Sequence, residues 1–336
     1  MIEREPEAQS GEDRLIARYF RPLATHPGAF GLLDDAATIT PPPGSDVVLK
    51  ADAVVGGVHF FPDDPPDLIA KKALRVNLSD LAAKGAGPAG FLLSLALPQT
   101  LGGDWLEAFA RGLGEDAEAY RCPLMGGDTD RTPGPVTISI AAFGIVPCGT
   151  MVRRSGARPG DLVVVTGSIG DAALGLLVRR DPDTATRWQL AHRQRDHLIE
   201  RYLLPRPRNA IAGALRQYAT AAMDVSDGLV GDLGKLCVAS GMTADIEVAR
   251  VPLSDAARQA VANDPSLIDT ALTGGDDYEV VATVPAGAGD ALMAAAEAAG
   301  VALTQIGIIR SGRPGVRFLD HAGKPMLFNK PSFSHF

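Results

Sequence analysis

The sequence predicts an α/β protein built as two domains, and three observations carry that prediction. A chain of 336 residues, 46% of them hydrophobic, is longer than one core comfortably serves, so two domains of ordinary size are expected. Helical and extended patterns alternate along the chain. Between them, "PCGTMVRRSGARPGD" (147–161) is rich in Gly, Pro and Arg without periodicity, which marks a crossing between domains.

The elements follow in order. "EDRLIARYFRPL" sets Leu15, Ile16, Tyr19, Phe20 and Leu23 at helical spacing, and "VVLKADAVVGGVHF" is a valine-rich extended run broken by glycines. Helices are predicted over 67–84 and 104–120, and strands over 136–146 and 162–166. In the second half, "DLVVVTGSIGDAALGLLV" reads as strand, glycine turn and helix, and "AAMDVSDGLVGDLGKLCVASG" repeats that order. "LTGGDDYEVVATVP" leads into a further strand. A faint internal echo links "GGDTD" (126–130) with "GGDDYE" (274–279).

Composition removes several function classes. A formal charge of −8 argues against nucleic-acid or anionic-membrane binding, since neither surface attracts an acidic protein. The three cysteines, Cys122, Cys148 and Cys237, have neither zinc-ligand spacing nor a disulfide framework, which suits a reducing compartment. "MIEREPEAQSGED" is acidic where a signal peptide is basic and then apolar, and no apolar run reaches membrane-spanning length. A soluble, cytoplasmic protein is expected.

Carboxylates collect at element ends rather than on charged faces: Asp34, Asp35, Asp52, Asp80, Asp128, Asp224, Asp227, Asp276 and Asp277. Asp80 shares a helical face with Ile69, Ala73 and Val76, where an unpaired carboxylate is costly to bury; the bland alternative is a helix end emerging into water. In "MDVSDGL", Ser226 or Asp227 is placed to cap the following helix. Capping leaves Asp224 at the strand end unexplained. Oxygen-rich acidic sites without Cys or His clusters favour hard cations, above all Mg²⁺ held together with phosphates. A calcium module is the bland rival, but it would more naturally pack its ligands into one loop. Neither the dinucleotide fingerprint nor the phosphate-loop pattern occurs.

The order of these motifs resembles the thiamine-monophosphate kinase family, in the aminoimidazole ribonucleotide synthetase superfamily. The resemblance runs through "DDAA" (34–37), "VVGGVHF" (54–60), "KALRVNLSDLAAKGA" (72–86), "LMGGDTDR" (124–131), "RRSGARPGD" (153–161), "DVSDGL" (224–229), "GGDDYE" (274–279) and the terminal "FSHF". It implies a two-domain aminoimidazole ribonucleotide synthetase-like α/β (α+β) fold with mixed sheets flanked by helices. An N-terminal domain (1–148) would bind ATP and Mg²⁺ and form a homodimer interface, a C-terminal domain (149–336) would follow, and the nucleotide cleft would lie between them. Several Mg²⁺ ions are implied on Asp34, Asp35, Asp52, Asp80, Asp128, Asp224 and Asp227. Asp35, Asp80, Asp128 and Asp224 would be essential through metal binding, with no acid or base. ATP contacts are implied for Tyr120, Gly127, Asp128, Arg154 and Ser226, and thiamine monophosphate contacts for His59, Asp276 and Phe333. By residue type alone His59 reads as a half-buried histidine and Phe333 as a terminal anchor. Arg153 and Arg154 read equally as a solvated linker pair or a phosphate contact. It is the resemblance that turns these toward function.

Within the superfamily, selenide-activating relatives need a reactive residue near the start, whereas no cysteine precedes Cys122. The hydrogenase-maturation relative ends in cysteine, whereas this chain ends in "FSHF". Aminoimidazole ribonucleotide synthetase itself and a non-catalytic nucleotide sensor stay open as alternatives. Three departures stand out. Leu33 occupies a position where the family commonly has glycine, Lys50 and Ala51 precede Asp52 where a hydroxyl is usual, and Asp276 replaces a glutamate. Lys50 is expected to take over part of one metal's role or to lie against Asp34 or Asp35, or else to turn away into water.

Overall fold

The computed structural model describes residues 11–332, and Phe333, an expected thiamine monophosphate contact, lies outside them. Two compact units are present, residues up to Asn77 with Pro88–Ile145, and Leu78–Gly87 with Val146 onward.

In the first unit, β1 (Ser45–Val55), β2 (Gly87–Pro98), β3 (Leu124–Thr132) and β4 (Thr137–Pro147) form a sheet in the order β1-β4-β2-β3. β2 and β3 run parallel. Helices α1 (Gly11–Leu15), α2 (Pro66–Ala83) and α3 (Gly103–Ala119) accompany it, with a π-helical turn at Ile16–Phe20 continuing the predicted N-terminal helix. Strict alternation along β2 and β4 buries Phe91, Leu93, Leu95, Leu97, Ile138, Ile140 and Ala142 on one face. The opposite face keeps Val47, Leu49 and Leu92 exposed.

The second unit carries β5 (Leu162–Thr166), β6 (Ala221–Val225), β7 (Thr243–Glu247), β8 (Glu279–Val284), β9 (Leu303–Arg310) and β10 (Gly315–Leu319). They form a mixed sheet in the order β10-β7-β9-β5-β8-β6, in which β10 pairs parallel to β7 and β5 antiparallel to β8 and β9. Val163, Val165 and Met223 enter one core with Leu229 and Leu233, while Val164, Ala222 and Val280 enter another with Leu292. A sheet buried on both faces explains why β5 and β8 read as continuous apolar runs rather than alternations. The helices are α4 (Asp171–Arg180), α5 (Asp183–Arg187), α6 (His192–Leu203), α7 (Ala212–Tyr218), α8 (Leu229–Ser240), α9 (Asp255–Asn263), α10 (Leu267–Thr273) and α11 (Gly289–Ala298).

The last turn of α2 is tied into this second unit. Lys84 Nζ donates to the Ala222 carbonyl (2.7 Å), Val152 N to the Lys84 carbonyl (3.1 Å) and Asn209 Nδ2 to the Leu78 carbonyl (3.2 Å). Asp80 is thereby set in the second unit, although its helix begins in the first. Among the described residues no helix is long and apolar enough to cross a membrane.

Candidate active site

In the first unit the site grows from a turn and an edge strand. Phe30, Gly31 and Leu32 all take left-handed backbone (φ 49°, 62° and 55°), and this turn delivers Asp34 and Asp35 exposed, with Asp34 Oδ1 accepting from Asp35 N at 2.8 Å. Leu33 returns to φ −107°, a conformation open to any residue, so the glycine missing at this position costs the backbone nothing. On β3, Gly127 packs so close to β2 that a Cβ would lie 1.8 Å from the Leu93 carbonyl oxygen. Asp128 follows it, exposed. A cavity of about 760 Å³ brings Asp34, Asp35, Gly127 and Asp128 together with apolar Leu49, Leu92 and Phe143.

The remaining first-unit residues lie outside that lining. Asp52 pairs with Lys50, Nζ to Oδ1 at 3.1 Å, because residues two apart on β1 share a face. Strand alternation thus gives Lys50 a carboxylate partner on its own strand. His59 is half-buried and locally pinned, its Nδ1 accepting from Val55 N (3.0 Å) and its carbonyl from Lys72 Nζ (2.9 Å). Tyr120 closes α3 and lies beneath the Arg75 guanidinium, which is held in a two-point pair by Asp116 (2.6 and 2.9 Å).

In the second unit the β6–α8 junction holds Asp224, buried at the strand end, then Ser226 and Asp227 half-exposed. Neither Ser226 nor Asp227 caps α8, contrary to the sequence expectation; the N-cap is Gly228 with no side-chain bond. Asp232 takes the job from inside the helix, reaching back to accept from Ser226 N (2.9 Å) and Asp227 N (2.8 Å). Lys235 then bridges Asp227 Oδ2 (2.5 Å) and Asp232 Oδ1 (2.9 Å). Burial pushes the Asp232 carboxyl above its ordinary range despite the lysine. Burial also opposes the Lys235 ammonium, but its two carboxylate bonds outweigh this and raise its pKa. The sequence reading missed both residues. Their available signal was a second carboxylate five positions beyond Asp227 and a lysine three further on.

The segment carrying Asp276 is stitched to this junction. Asp276 N donates to the Ser226 carbonyl (2.9 Å) and Tyr278 N to the Val225 carbonyl (2.8 Å). A Cβ on Gly275 would lie 2.5 Å from the Ser226 carbonyl oxygen. Asp276 sits at φ +73°, a region Asp enters more readily than most side chains. Ser79 Oγ, next to Asp80, reaches the Tyr278 carbonyl at 3.5 Å. Asp80 itself is half-buried, between the buried and solvent-exposed readings of its helix. Arg154 is exposed in the 147–161 crossing, its carbonyl accepting from Ser240 Oγ (3.2 Å).

Among the described residues no three His, Cys, Asp or Glu side chains stand gathered as a ready metal cage. The carboxylates are nonetheless all hard oxygen donors, the chemistry Mg²⁺ prefers. Cys122 and Cys237 are buried in the cores, and burial pushes their thiols up to about 12.

Residues 33–146 match the N-terminal domain of the AIR synthase related proteins, and 158–319 match their C-terminal domain. The thiamine-monophosphate kinase of Salmonella typhimurium is 41% identical over 97% of this chain and 98% of its own. The chain belongs to the thiamine-monophosphate kinase family. Among solved structures, the thiamine-monophosphate kinase from Stenotrophomonas maltophilia superposes with a TM-score of 0.82 at 39% identity, covering 94% of this chain and 96% of that one. AaThiL, solved in complex with AMPPCP and TMP, gives 0.75 at 30% identity, over 92% and 97%. The two matched spans include Asp34, Asp35, Asp52, Asp80, Asp128, Asp224, Asp227 and Asp276, while Arg154 and Phe333 lie outside them.

Proposed function

We propose that this chain transfers the γ-phosphoryl group of ATP to the phosphate of thiamine monophosphate, giving thiamine diphosphate and ADP. The observation that carries the reading is the near-full-length likeness to AaThiL, a protein solved with an ATP analogue and TMP. The acceptor oxygen is already anionic near neutral pH, so the reaction requires no general base. Its barrier is the approach of two anions.

The donor set fits a hard cation, being carboxylate oxygen throughout. Asp34, Asp35, Asp52 and Asp128 in the first unit, and Asp80, Asp224 and Asp227 in the second, would hold Mg²⁺. The bound ions supply positive charge that screens the two phosphates. Tyr120, Gly127, Asp128, Arg154 and Ser226 contact ATP in this reading. His59, Asp276 and Phe333 contact thiamine monophosphate. The close packing of Gly127 leaves the backbone beside Asp128 bare of side chain, which suits the approach of phosphates. The exposed apolar sheet face with Val47, Leu49 and Leu92 supports a homodimer, and three cysteines outside any disulfide suit the cytoplasm.

Pure protein incubated with ATP, Mg²⁺ and thiamine monophosphate should form the diphosphate, and excess chelator should stop it. Absence of diphosphate overturns the activity, and turnover persisting in chelator overturns the role of metal. Free thiamine should be a poor acceptor, since it lacks the phosphate the site holds.

A further inference from the structure

Beneath the Asp276 segment lies a buried set of charges. Arg201 on α6, Asp277 and Glu279 are 2%, 1% and 0% exposed. Arg201 Nη2 donates both to the Asp277 carbonyl (3.1 Å) and to Glu279 Oε1 (2.9 Å). Arg208 grips the same carboxylate through Nε to Oε2 (2.5 Å) and through Nη2 to Oε1. Thr166 Oγ1 donates to Glu279 Oε2 (2.6 Å), and a Cβ on Gly167 would lie 2.2 Å from Glu279 Oε1. The Asp277 carboxylate accepts from Gly170 N (2.7 Å) and Ala172 N (3.3 Å) where α4 begins.

Above this set the chain is strained. Asp276 (φ +73°) and Tyr278 (φ +51°) both occupy left-handed backbone, and such residues persist only where their surroundings over-determine them. Two grips supply that here. On one side Val225 and Ser226 accept the backbone N–H groups of Tyr278 and Asp276. On the other, Arg201 holds the carbonyl of Asp277, the peptide between the two left-handed residues, against the fixed carboxylate of Glu279.

We infer that Arg201 is a positioning residue for the acceptor: it holds the 276–278 turn in its left-handed form and so sets where the Asp276 carboxylate points. This rests on the reading of Asp276 as a thiamine monophosphate contact. A purely structural ion pair would cement the fold without tuning acceptor binding. The two roles are separable because, when Arg201 is removed, Glu279 keeps Arg208 and Thr166, and Asp277 keeps two N–H donors. Neither carboxylate is stranded, so the fold should survive.

The test measures KM and kcat for each substrate in Arg201→Met, Arg201→Lys, Asp276→Asn and the double variant Arg201→Met with Asp276→Asn. Arg201→Met should raise KM for thiamine monophosphate about tenfold and KM for ATP about twofold or less, the cost of a misplaced contact. Arg201→Lys, which keeps the buried charge, should recover part of the loss. The double variant should be no worse than Asp276→Asn alone, since Arg201 acts through Asp276. A lower melting temperature and kcat with both KM values unchanged in Arg201→Met overturns the inference. If that variant does not fold, an unchanged acceptor KM in Arg201→Lys overturns it equally. Asp276→Asn leaving the acceptor KM unchanged overturns the underlying reading of Asp276. Asp276→Asn raising that KM while Arg201→Met does not overturns the positioning role alone.

Discussion

At 126–128 the chain runs Gly-Gly-Asp along the edge strand β3, and at 274–276 the same three residues approach the buried strand β8. In both places a glycine is pressed against a neighbouring carbonyl, Gly127 on Leu93 and Gly275 on Ser226. After that the copies diverge. Asp128 and Asp130 stay exposed, each accepting from the backbone N–H of the next residue (3.0 and 2.7 Å). Asp277 and Glu279 turn inward, and burial holds the Asp277 carboxyl well above its ordinary range despite the Gly170 N–H. The shared letters fix a close backbone approach. The residues after them, and whether a strand edge or a sandwiched sheet receives them, decide whether a charge is left for ligands or used to hold the chain.

Removing one charge from each copy gives the largest contrast. Glu279→Gln removes the buried carboxylate that Arg201 and Arg208 both bond, and breaking a buried pair in this way costs about 3–5 kcal/mol. Asp128→Asn, on an exposed strand edge, should change stability by no more than about 0.5 kcal/mol. Its activity should fall about 100-fold or more, the scale of losing one preorganised electrostatic contribution, here the hold on the Mg²⁺ that would screen the phosphates. Urea unfolding and steady-state kinetics on the two variants measure both effects. Similar unfolding midpoints for the two variants would break the comparison.

The sequence made the exposed half of this contrast legible and hid the buried half. Asp34, Asp35 and Asp128 announce themselves because glycines and turn residues leave them in the open. Asp224 was visible because a carboxylate at the end of an apolar strand has no ordinary reason to be there. Arg201 lies within "HRQRDHLIERYL", where four other Arg, Asp or Glu residues among the twelve make a buried arginine indistinguishable from its solvated neighbours. Its partners stand 76 and 78 residues away in sequence. Asp232 was missed for a related reason: a carboxylate in the first turn of a helix looks like a favourable dipole contact, and only the fold shows it reaching back to Ser226 and Asp227. The membership of Asp80 in the second unit was also out of reach, since helical periodicity says which face a residue occupies but not which core accepts it.

A second buried carboxylate of the same unit sharpens the contrast through pH. Burial works against the ionised form of Asp171, but bonds from His197 Nε2 (2.9 Å), Ser168 Oγ (2.5 Å) and Ser254 Oγ outweigh it, so its native pKa lies below the ordinary value. A depressed carboxyl pKa stabilises the native state above the unfolded pKa of about 3.9, and that contribution is lost as pH falls through the native value. The melting-temperature gap between wild type and Asp171→Asn should therefore hold from neutrality down to about pH 5 and close below about pH 4. A gap that widens toward acid would contradict the sign.

The smallest effect concerns the exposed carboxylates that already have a cation. Lys50 sits 3.1 Å from Asp52, both side chains partly in solvent (27% and 40% exposed), a setting in which an ion pair contributes about 1 kcal/mol at most. Stability should hardly register its removal. Metal binding should, because a protonated ammonium cannot ligate Mg²⁺ and instead competes with it for the same oxygen. Lys50→Met should lower the Mg²⁺ concentration for half-maximal rate about two- to fivefold, the equivalent of a pair in partly screened solvent. Calorimetric titration with Mg²⁺ and ADP reads the same change without turnover. A lysine that stands in for an ion gives the reverse, slower turnover and a higher Mg²⁺ requirement, because its positive charge would then be missing beside the phosphates. The direction of the shift therefore decides whether the exposed carboxylates of the first unit are held ready for metal by a displaceable lysine or are partly served by it.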